Sequence, residues 1–153
     1  MDSRLFRNAM GKFATGVTVI TTKCDDDVHG MTANAFMSVS LDPKLVVVSV
    51  GHNATMHEKI KKAGRFAVSI LSDEQEEMSM YFAGQIKDKR EIEFDWFNDL
   101  PVISGSLANV MCRVYEAHPA GDHTLYIGEV EDIFVKEEGA PLAFFEGKYC
   151  NIS

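Results

Sequence analysis

The familiar catalytic patterns are missing from this sequence. No second histidine follows His57 at the spacing of a zinc-protease motif, and His52 and His57 do not fall on one face of a helix. Ser104 lacks the preceding glycine of a hydrolase nucleophile elbow. Residues 25–27 are adjacent aspartates that cannot all converge on one calcium ion, and Cys112 lies in a strand pattern that predicts a small buried side chain. These sets therefore predict neither a metal site nor a nucleophile.

Three other segments carry groups suited to holding a ligand. Residues 30–41 (GMTANAFMSVSL) combine small hydroxyl and amide side chains, which would let a flat heteroaromatic ring lie close to the backbone. A polar edge strand explains the same composition. Gly121-Asp122-His123 either brings a histidine to a barrel mouth or forms an ordinary turn. The helix start at residues 53–55 either offers N–H groups to a phosphate or is capped by Thr55 itself.

Composition and charge exclude several classes of function. The chain has 153 residues, which predicts a single domain over residues 1–153, and a formal net charge of -8. Because an acidic surface repels phosphate backbones and anionic headgroups, we expect neither nucleic-acid binding nor membrane docking. Three widely spaced cysteines form no CxxC pair and indicate neither a disulfide framework nor a zinc site. With no signal peptide and no apolar run of roughly 20 residues, a cytoplasmic protein is expected.

The elements that must position these groups are mostly strands. Apolar spacing predicts a helix over residues 3–13 with Ser3 as its N-cap, and capping-box patterns begin two more helices at Thr55 and Ser72. β-branched or alternating patterns predict strands over 17–22, 31–41, 45–50, 65–71, 106–115, 124–135 and 142–145. This order, without a GxGxxG motif, favours an antiparallel barrel over a Rossmann domain.

Residues 84–101 are polar and predicted to be irregular, with a loop predicted again over residues 117–123. The first of these regions contains the aromatic cluster Phe94, Trp96 and Phe97. Two explanations of that cluster stay open, namely burial against a second subunit or packing on the chain's own core.

The candidate segments occur together, and in this combination the chain resembles the flavin reductase-like proteins, which have an FMN-binding split barrel. The pairing of the long TANAFMSVS stretch with GDH is specific, although each piece alone is weak. Two places depart from the usual family pattern, namely residues 51–53 and 88–91. The resembling segments are GVTVITT (16–22), GMTANAFMSVSLDP (30–43), LVVVSV (45–50), FAG (82–84), GDHTLYIGEV (121–130) and PLAFFEGKY (141–149).

This resemblance implies a mainly β protein, a six-stranded antiparallel split β-barrel with a few short helices. It also implies a homodimer with flavin near the subunit interface. Matching positions place Thr32, Ala33 and Asn34 at the flavin ring, and His123 at the nicotinamide side. The other implied flavin-binding residues are Ser38, Val39, Ser40, Ser49, Val50, Ala54, Thr55, Phe82, Ala83, Gly84 and Lys89 or Arg90, with Ala54 and Thr55 on the phosphate side.

The implied reaction is hydride transfer from NADH or NADPH to FMN or FAD, with reduced flavin supplied to a partner monooxygenase. The cofactors carry the redox chemistry, so the protein's task is to stack two rings with reacting atoms about 3–3.5 Å apart. No acid–base pair is needed, and His123 would orient the nicotinamide. Two alternatives remain: a flavin-bearing electron carrier of the flavoredoxin kind, and a binding module without chemistry. The sequence does not choose between the flavins or between the nicotinamide nucleotides.

Overall fold

The computed structural model describes residues 1–152. Within them the helices are α1 (Ser3–Gly11), α2 (Thr55–Ala63) and α3 (Glu76–Phe82). The strands are β1 (Thr15–Gly16), β2 (Thr18–Cys24), β3 (Asp27–Ala33), β4 (Phe36–Leu41), β5 (Lys44–Gly51), β6 (Arg65–Ile70), β7 (Phe94–Phe97), β8 (Leu100–Ile103), β9 (Ala108–Ala120), β10 (His123–Val135), β11 (Leu142–Phe145) and β12 (Lys148–Asn151).

The main sheet has seven antiparallel strands in the order β3-β2-β6-β9-β10-β5-β4. Within the described chain, β1, β11 and β12 form a second sheet, and β7 pairs with β8. The expected mainly β class is confirmed, but the expected number of six strands is wrong. One reason is that the single strand predicted over 31–41 is two strands, which lie at opposite edges of the main sheet.

The two edge strands of the main sheet are consecutive in sequence. β3 ends at Ala33 and β4 begins at Phe36, so only Asn34 and Ala35 separate them. Since three extended residue steps reach about 10 Å, the sheet must curl until its two edges approach at this end. No hydrogen-bonded ladder joins β3 to β4 among residues 1–152, so the barrel is not closed. The ligand-candidate stretch 30–41 therefore lies along this opening.

The largest core cluster fills the inside of the curled sheet. In β5 the buried residues alternate with partly exposed ones, and helix α2 covers them with Met56 and Ile60. A second cluster lies beneath α3 and β11. The buried members of the first cluster are Ile20, Val46, Val48, Val50, Met56, Ile60, Phe66, Val68, Val110, Cys112 and Tyr126.

Two of the predicted helix starts are wrong by one residue. Helix α1 is capped by Asp2, whose carboxylate accepts from the Arg4 N–H at 2.9 Å, and not by Ser3. Helix α2 has Ala54 as its N-cap, so Thr55 is already inside the helix and supplies no cap. An N-cap needs an extended backbone conformation together with a side-chain acceptor. The sequence pattern indicates only where an acceptor is present.

At Ser72 the predicted capping-box contacts are present, although helix α3 begins later, at Glu76. The Ser72 N–H donates to Gln75 Oε1 at 2.9 Å, and the Glu74 N–H donates to Ser72 Oγ at 3.3 Å. The contacts close a turn ahead of the helix, because Gln75 itself is the N-cap and lies outside the helical region.

The predicted irregular regions contain regular strands. Asn98 and Asp99, both with positive φ, form the two-residue turn between β7 and β8. Phe94 and Phe97 pack on the chain's own core clusters, whereas Trp96 is 49% exposed, with the Lys23 ammonium 5.7 Å from its ring centroid. The predicted loop 117–123 is the end of β9, the turn and the first residue of β10. Residues 117–123 are all exposed, so this segment lacks the alternation of apolar and polar residues that predicts a strand.

Gly128 of β10 allows the core to close. A Cβ built there would lie 2.6 Å from the Phe66 ring and 2.7 Å from the Cys112 Cβ. We expect Gly128→Ala to destabilise the fold by about 1–3 kcal/mol, because over-packing forces side chains or strands apart. Urea unfolding measures this change. The control is Gly16→Ala, whose Cβ would meet no atom within 4 Å; an equal loss in both variants would contradict the packing explanation.

Candidate functional site

One face of β4, β5 and β10 forms the floor of an apolar cleft of about 740 Å³. Register places Met37 opposite Val47 and Ser49 opposite Leu125, so these four side chains share one face of the sheet. The segment from α1 to β1 forms a wall. The lining residues are Met10, Phe13, Thr15, Asn34, Ala35, Phe36, Met37, Val47, Ser49 and Leu125.

The apolar cleft has the character of a site for a large flat ligand. Its volume falls within the range of about 300–1,000 Å³ that is usual for cofactor sites, and its walls are mostly apolar with few polar groups. Asn34 and Ser49 are two of those polar groups, and Asn34 also lines two neighbouring cavities. Thr15 Oγ1 is buried without a hydrogen-bond partner in the described chain, on a wall shared with a smaller cavity. The residues present therefore fit an isoalloxazine ring.

His123 lies on the same face as the floor of the cleft. Side chains alternate along a strand, so His123 points to the same side of β10 as Leu125, about 7 Å further along the strand. Its partner in the ladder is Gly51, and a Cβ at Gly51 would lie 3.6 Å from His123 Nε2. The missing side chain at Gly51 leaves room for the imidazole to lie across β5.

Asp122 holds the His123 ring. Its carboxylate lies 2.8 Å from His123 Nδ1, and this hydrogen bond lowers the pKa of the Asp122 carboxyl below its ordinary value. A carboxylate only accepts hydrogen bonds, so the proton of this bond sits on Nδ1. In the neutral ring, Nε2 is then left as an acceptor, over Gly51. Both side chains are exposed, which makes the ring accessible to a ligand.

A second cavity, of about 180 Å³, brings Thr32, Ala33, Asn34 and Ala83 together. Thr32 Oγ1 donates to the Ser79 carbonyl at 2.6 Å, which ties β3 to α3. Ser79 Oγ and the Tyr149 hydroxyl are 2.7 Å apart. Hydroxyl and amide groups thus line this smaller cavity, which shares Asn34 with the apolar cleft.

Phe82, Gly84 and Lys89 line a third cavity, of about 420 Å³, on the other side of α3. A Cβ at Gly30 would overlap the Phe82 ring, so Gly30 is what lets Phe82 lie flat on β3. Arg90 forms an ion pair with Glu77, which raises the pKa of the guanidinium. Of the two basic residues that the resemblance offered, Lys89 and Arg90, Lys89 is therefore the one that lines a cavity.

Six of the predicted flavin contacts line none of these cavities, namely Ser38, Val39, Ser40, Val50, Ala54 and Thr55. Val50 is 0% exposed and lies on the core face of β5, opposite to Ser49. Ser38, Val39 and Ser40 lie on the edge strand β4, where Val39 falls in a register shift between its two neighbours. Strand alternation sends neighbouring residues to opposite faces, so a contiguous motif cannot contact one ligand with every side chain.

Ala54 and Thr55 lie at the N-terminus of α2. Ala54 packs against the main core cluster, and Thr55 is exposed. The helix has no side-chain cap, so its first N–H groups have no side-chain acceptor. Such an end attracts anions through the helix dipole, although Glu58 in the first turn opposes this.

Several lining residues were not identified from the sequence. Phe13, Phe36 and Leu125 line the apolar cleft, and Ser79 and Tyr149 line the second cavity. Three of them, Phe36, Leu125 and Tyr149, lie inside motifs that carried the family resemblance. The motifs therefore indicated the right segments, although they gave these residues no role. Phe13 and Ser79 carry no local signal, since only the packing of α1 and α3 on the sheet brings them there.

Within residues 1–152, no group of three or more histidine, cysteine or acidic side chains is arranged to hold a metal ion. Cys112 is fully buried, and burial raises the pKa of its thiol to about 12, so it is an unreactive core residue. The same residues contain no helix with both the length and the apolar character to cross a bilayer.

Comparison with known proteins identifies the class. A family model described as "Flavin reductase like domain" matches residues 10–153. The chain therefore belongs to the flavin reductase like family, and the resemblance given by its motifs is confirmed.

Individual relatives agree with this assignment. An NADH-dependent flavin reductase from a Rhodococcus species is 47% identical over 149 residues, which cover 95% of this chain and 84% of that protein. The reductase component of 4-hydroxyphenylacetate 3-monooxygenase from Thermus thermophilus is 39% identical over 144 residues, covering 94% and 93%. Among solved structures, flavin reductase PheA2 in its native state has a TM-score of 0.97 and 57% identity, covering 100% of this chain and 99% of that one.

Proposed function

We propose that the protein is an NADH-dependent flavin reductase that supplies reduced FMN or FAD to a partner monooxygenase. The observation that carries this proposal is the apolar cleft, whose floor strand β10 presents His123 on the same face as Leu125. The relatives support both halves of the proposal, since one is named an NADH-dependent flavin reductase and another a monooxygenase reductase component.

The residues of this chain would hold the flavin in three places. Phe36 and Leu125 offer apolar contact to the ring in the apolar cleft, with Asn34 and Ser49 as hydrogen-bonding groups at its edges. Thr32 and Ala33 line the adjoining cavity. The uncapped start of α2, at Ala54 and Thr55, would accept a phosphate. When bound, flavin supplies the two-electron redox chemistry that the side chains lack.

His123 is the residue that we propose for orienting the nicotinamide. Asp122 fixes the ring through Nδ1, which leaves Nε2 to meet the donor nucleotide above the cleft floor. Placing two rings face to face in a near-attack geometry lowers the entropic part of the barrier, so a group that fixes one ring contributes to the rate. No proton transfer at His123 is required.

We further propose a homodimer located in the cytoplasm. Leu5, Phe6 and Met10 on α1 and Phe13 beyond it are all more than half exposed, and Met10 and Phe13 continue into the apolar cleft. A second subunit covering this face would bury these side chains and close the cleft. The three unpaired cysteines fit a reducing compartment.

The proposed activity predicts a specific cofactor requirement. Purified protein should oxidise NADH in the presence of FMN or FAD, with NADPH a poorer donor, as followed at the nicotinamide absorbance. Dependence on added flavin would mean that flavin is a substrate that diffuses in and out, whereas turnover by yellow protein alone would mean a bound group. No oxidation with any pair would contradict the proposal and favour an electron carrier.

His123→Ala should slow hydride transfer by about tenfold to a hundredfold, because the nicotinamide loses a positioning contact. Single-turnover mixing of NADH with the flavin-loaded protein measures this rate directly. The control is Lys136→Ala, since Lys136 is exposed just beyond the far end of β10 and lines none of the cavities described. An unchanged rate in His123→Ala would remove His123 from the mechanism.

The dimer predicts a solution mass of twice the 17.0 kDa of the chain, as measured by light scattering. Met10→Glu places a charge on the exposed apolar face and should shift the population toward monomer. Lys148→Glu, on exposed β12, is a charge-changing control that should leave the mass unchanged. A monomeric wild-type protein would contradict the proposed assembly without affecting the proposed reaction.

A further inference from the structure

We infer that His52 is a positioning residue that holds the turn carrying His123 in place. This inference rests on the proposed function, because it assigns to His52 an action through His123. His52 belongs to residues 51–53, where the sequence departs from the usual family pattern, so the motifs gave it no role.

Two hydrogen bonds from His52 flank His123. The backbone N–H of His52 donates to the backbone carbonyl of Asp122 at 2.9 Å, and the ring Nε2 of His52 lies 2.9 Å from Thr124 Oγ1. One bond therefore fixes the residue before His123 and the other fixes the residue after it. The backbone bond does not depend on the side chain at position 52, so the His52 imidazole acts through Thr124, the residue that follows His123.

The turn over residues 121–123 is exposed, so its conformation depends on contacts from neighbouring elements. Gly121, Asp122 and His123 are all exposed at the tip of the β9–β10 hairpin, and Gly121 has a φ of 63°. Exposed hairpin tips open locally at low cost in free energy unless other contacts hold them. His52 and its neighbour Gly51 supply such contacts from β5 and the loop that follows it.

The His52 ring is itself held from the core side. Its centroid lies 4.9 Å from that of His57 in α2, and His57 Nδ1 lies 2.9 Å from the Tyr126 hydroxyl. Tyr126 is a core residue, 2% exposed. A continuous series of contacts thus runs from the buried Tyr126 through His57 and His52 to Thr124. Supporting contacts of this kind set how accurately a functional side chain is placed.

The test combines spectroscopy on the flavin-free protein with kinetics. In the wild type, ¹⁵N NMR of the histidine side chains should show His123 largely protonated at Nδ1, as its bond to Asp122 requires. In His52→Ala, the His123 signals should move toward a mixture of the two ring tautomers. His52→Gln, whose amide can replace Nε2 at Thr124, should retain the wild-type signals.

The kinetic measurements test whether His52→Ala slows the reaction with NADH through His123. We expect His52→Ala to lower kcat/KM for NADH by about tenfold, with the Kd for FMN changed less than about twofold. Lys136→Ala, just beyond the far end of β10, is the control and should match the wild type. In the His123→Ala background, the loss of His52 should cost no more than about twofold further, since residues that act as a unit are not additive.

Thr124→Val provides a second variant, because it removes the same hydrogen bond from the other partner with little change in shape. It should reproduce the His123 signals of His52→Ala. Unchanged His123 signals in both variants, or fully additive losses with His123→Ala, would overturn the inference. If His123→Ala itself leaves NADH oxidation unchanged, the proposed role of His123 fails, and the NMR arm still decides whether His52 holds the turn.

Discussion

Strand β10 is hydrogen-bonded along both edges, to β9 on one side and to β5 on the other, and the candidate site depends on this double pairing. A strand fixed in two ladders cannot slip or rotate, so each of its side chains is committed to one face. Thr124 and Tyr126 enter the core, while Leu125 lines the apolar cleft and His123 lies on the same strand face as Leu125. The position of the histidine relative to the cleft floor therefore follows from sheet register, which is more rigid than a loop.

Glycine residues at close approaches are a second constraint on this framework. Gly128 lets the Phe66 ring reach β10, and Gly30 lets Phe82 lie on β3. Gly51 leaves the surface beside His123 open. At Gly128 and Gly30 a ring approaches a strand too closely for any Cβ, so only glycine gives that approach without displacing its neighbours. These two approaches complete the core.

The cleft also reconciles an acidic chain with anionic nucleotides. A net charge of -8 gives no long-range attraction for phosphates, so recognition has to be local. Apolar walls, a few polar groups and one uncapped helix start supply short-range contacts that the overall field does not cancel.

The strand-rich class, the family with its combined motifs, and the segment around Asn34, which lines the apolar cleft, could all be read from the sequence. Those properties are local, since β-branched runs, turn residues and contiguous motifs are readable along the chain. The folded chain was needed to show that 31–41 divides between the two sheet edges, that Val50 faces the core, and that Phe13 lines the cleft. Strand partners, strand faces and cavity walls depend on residues far apart in sequence, so no local pattern encodes them.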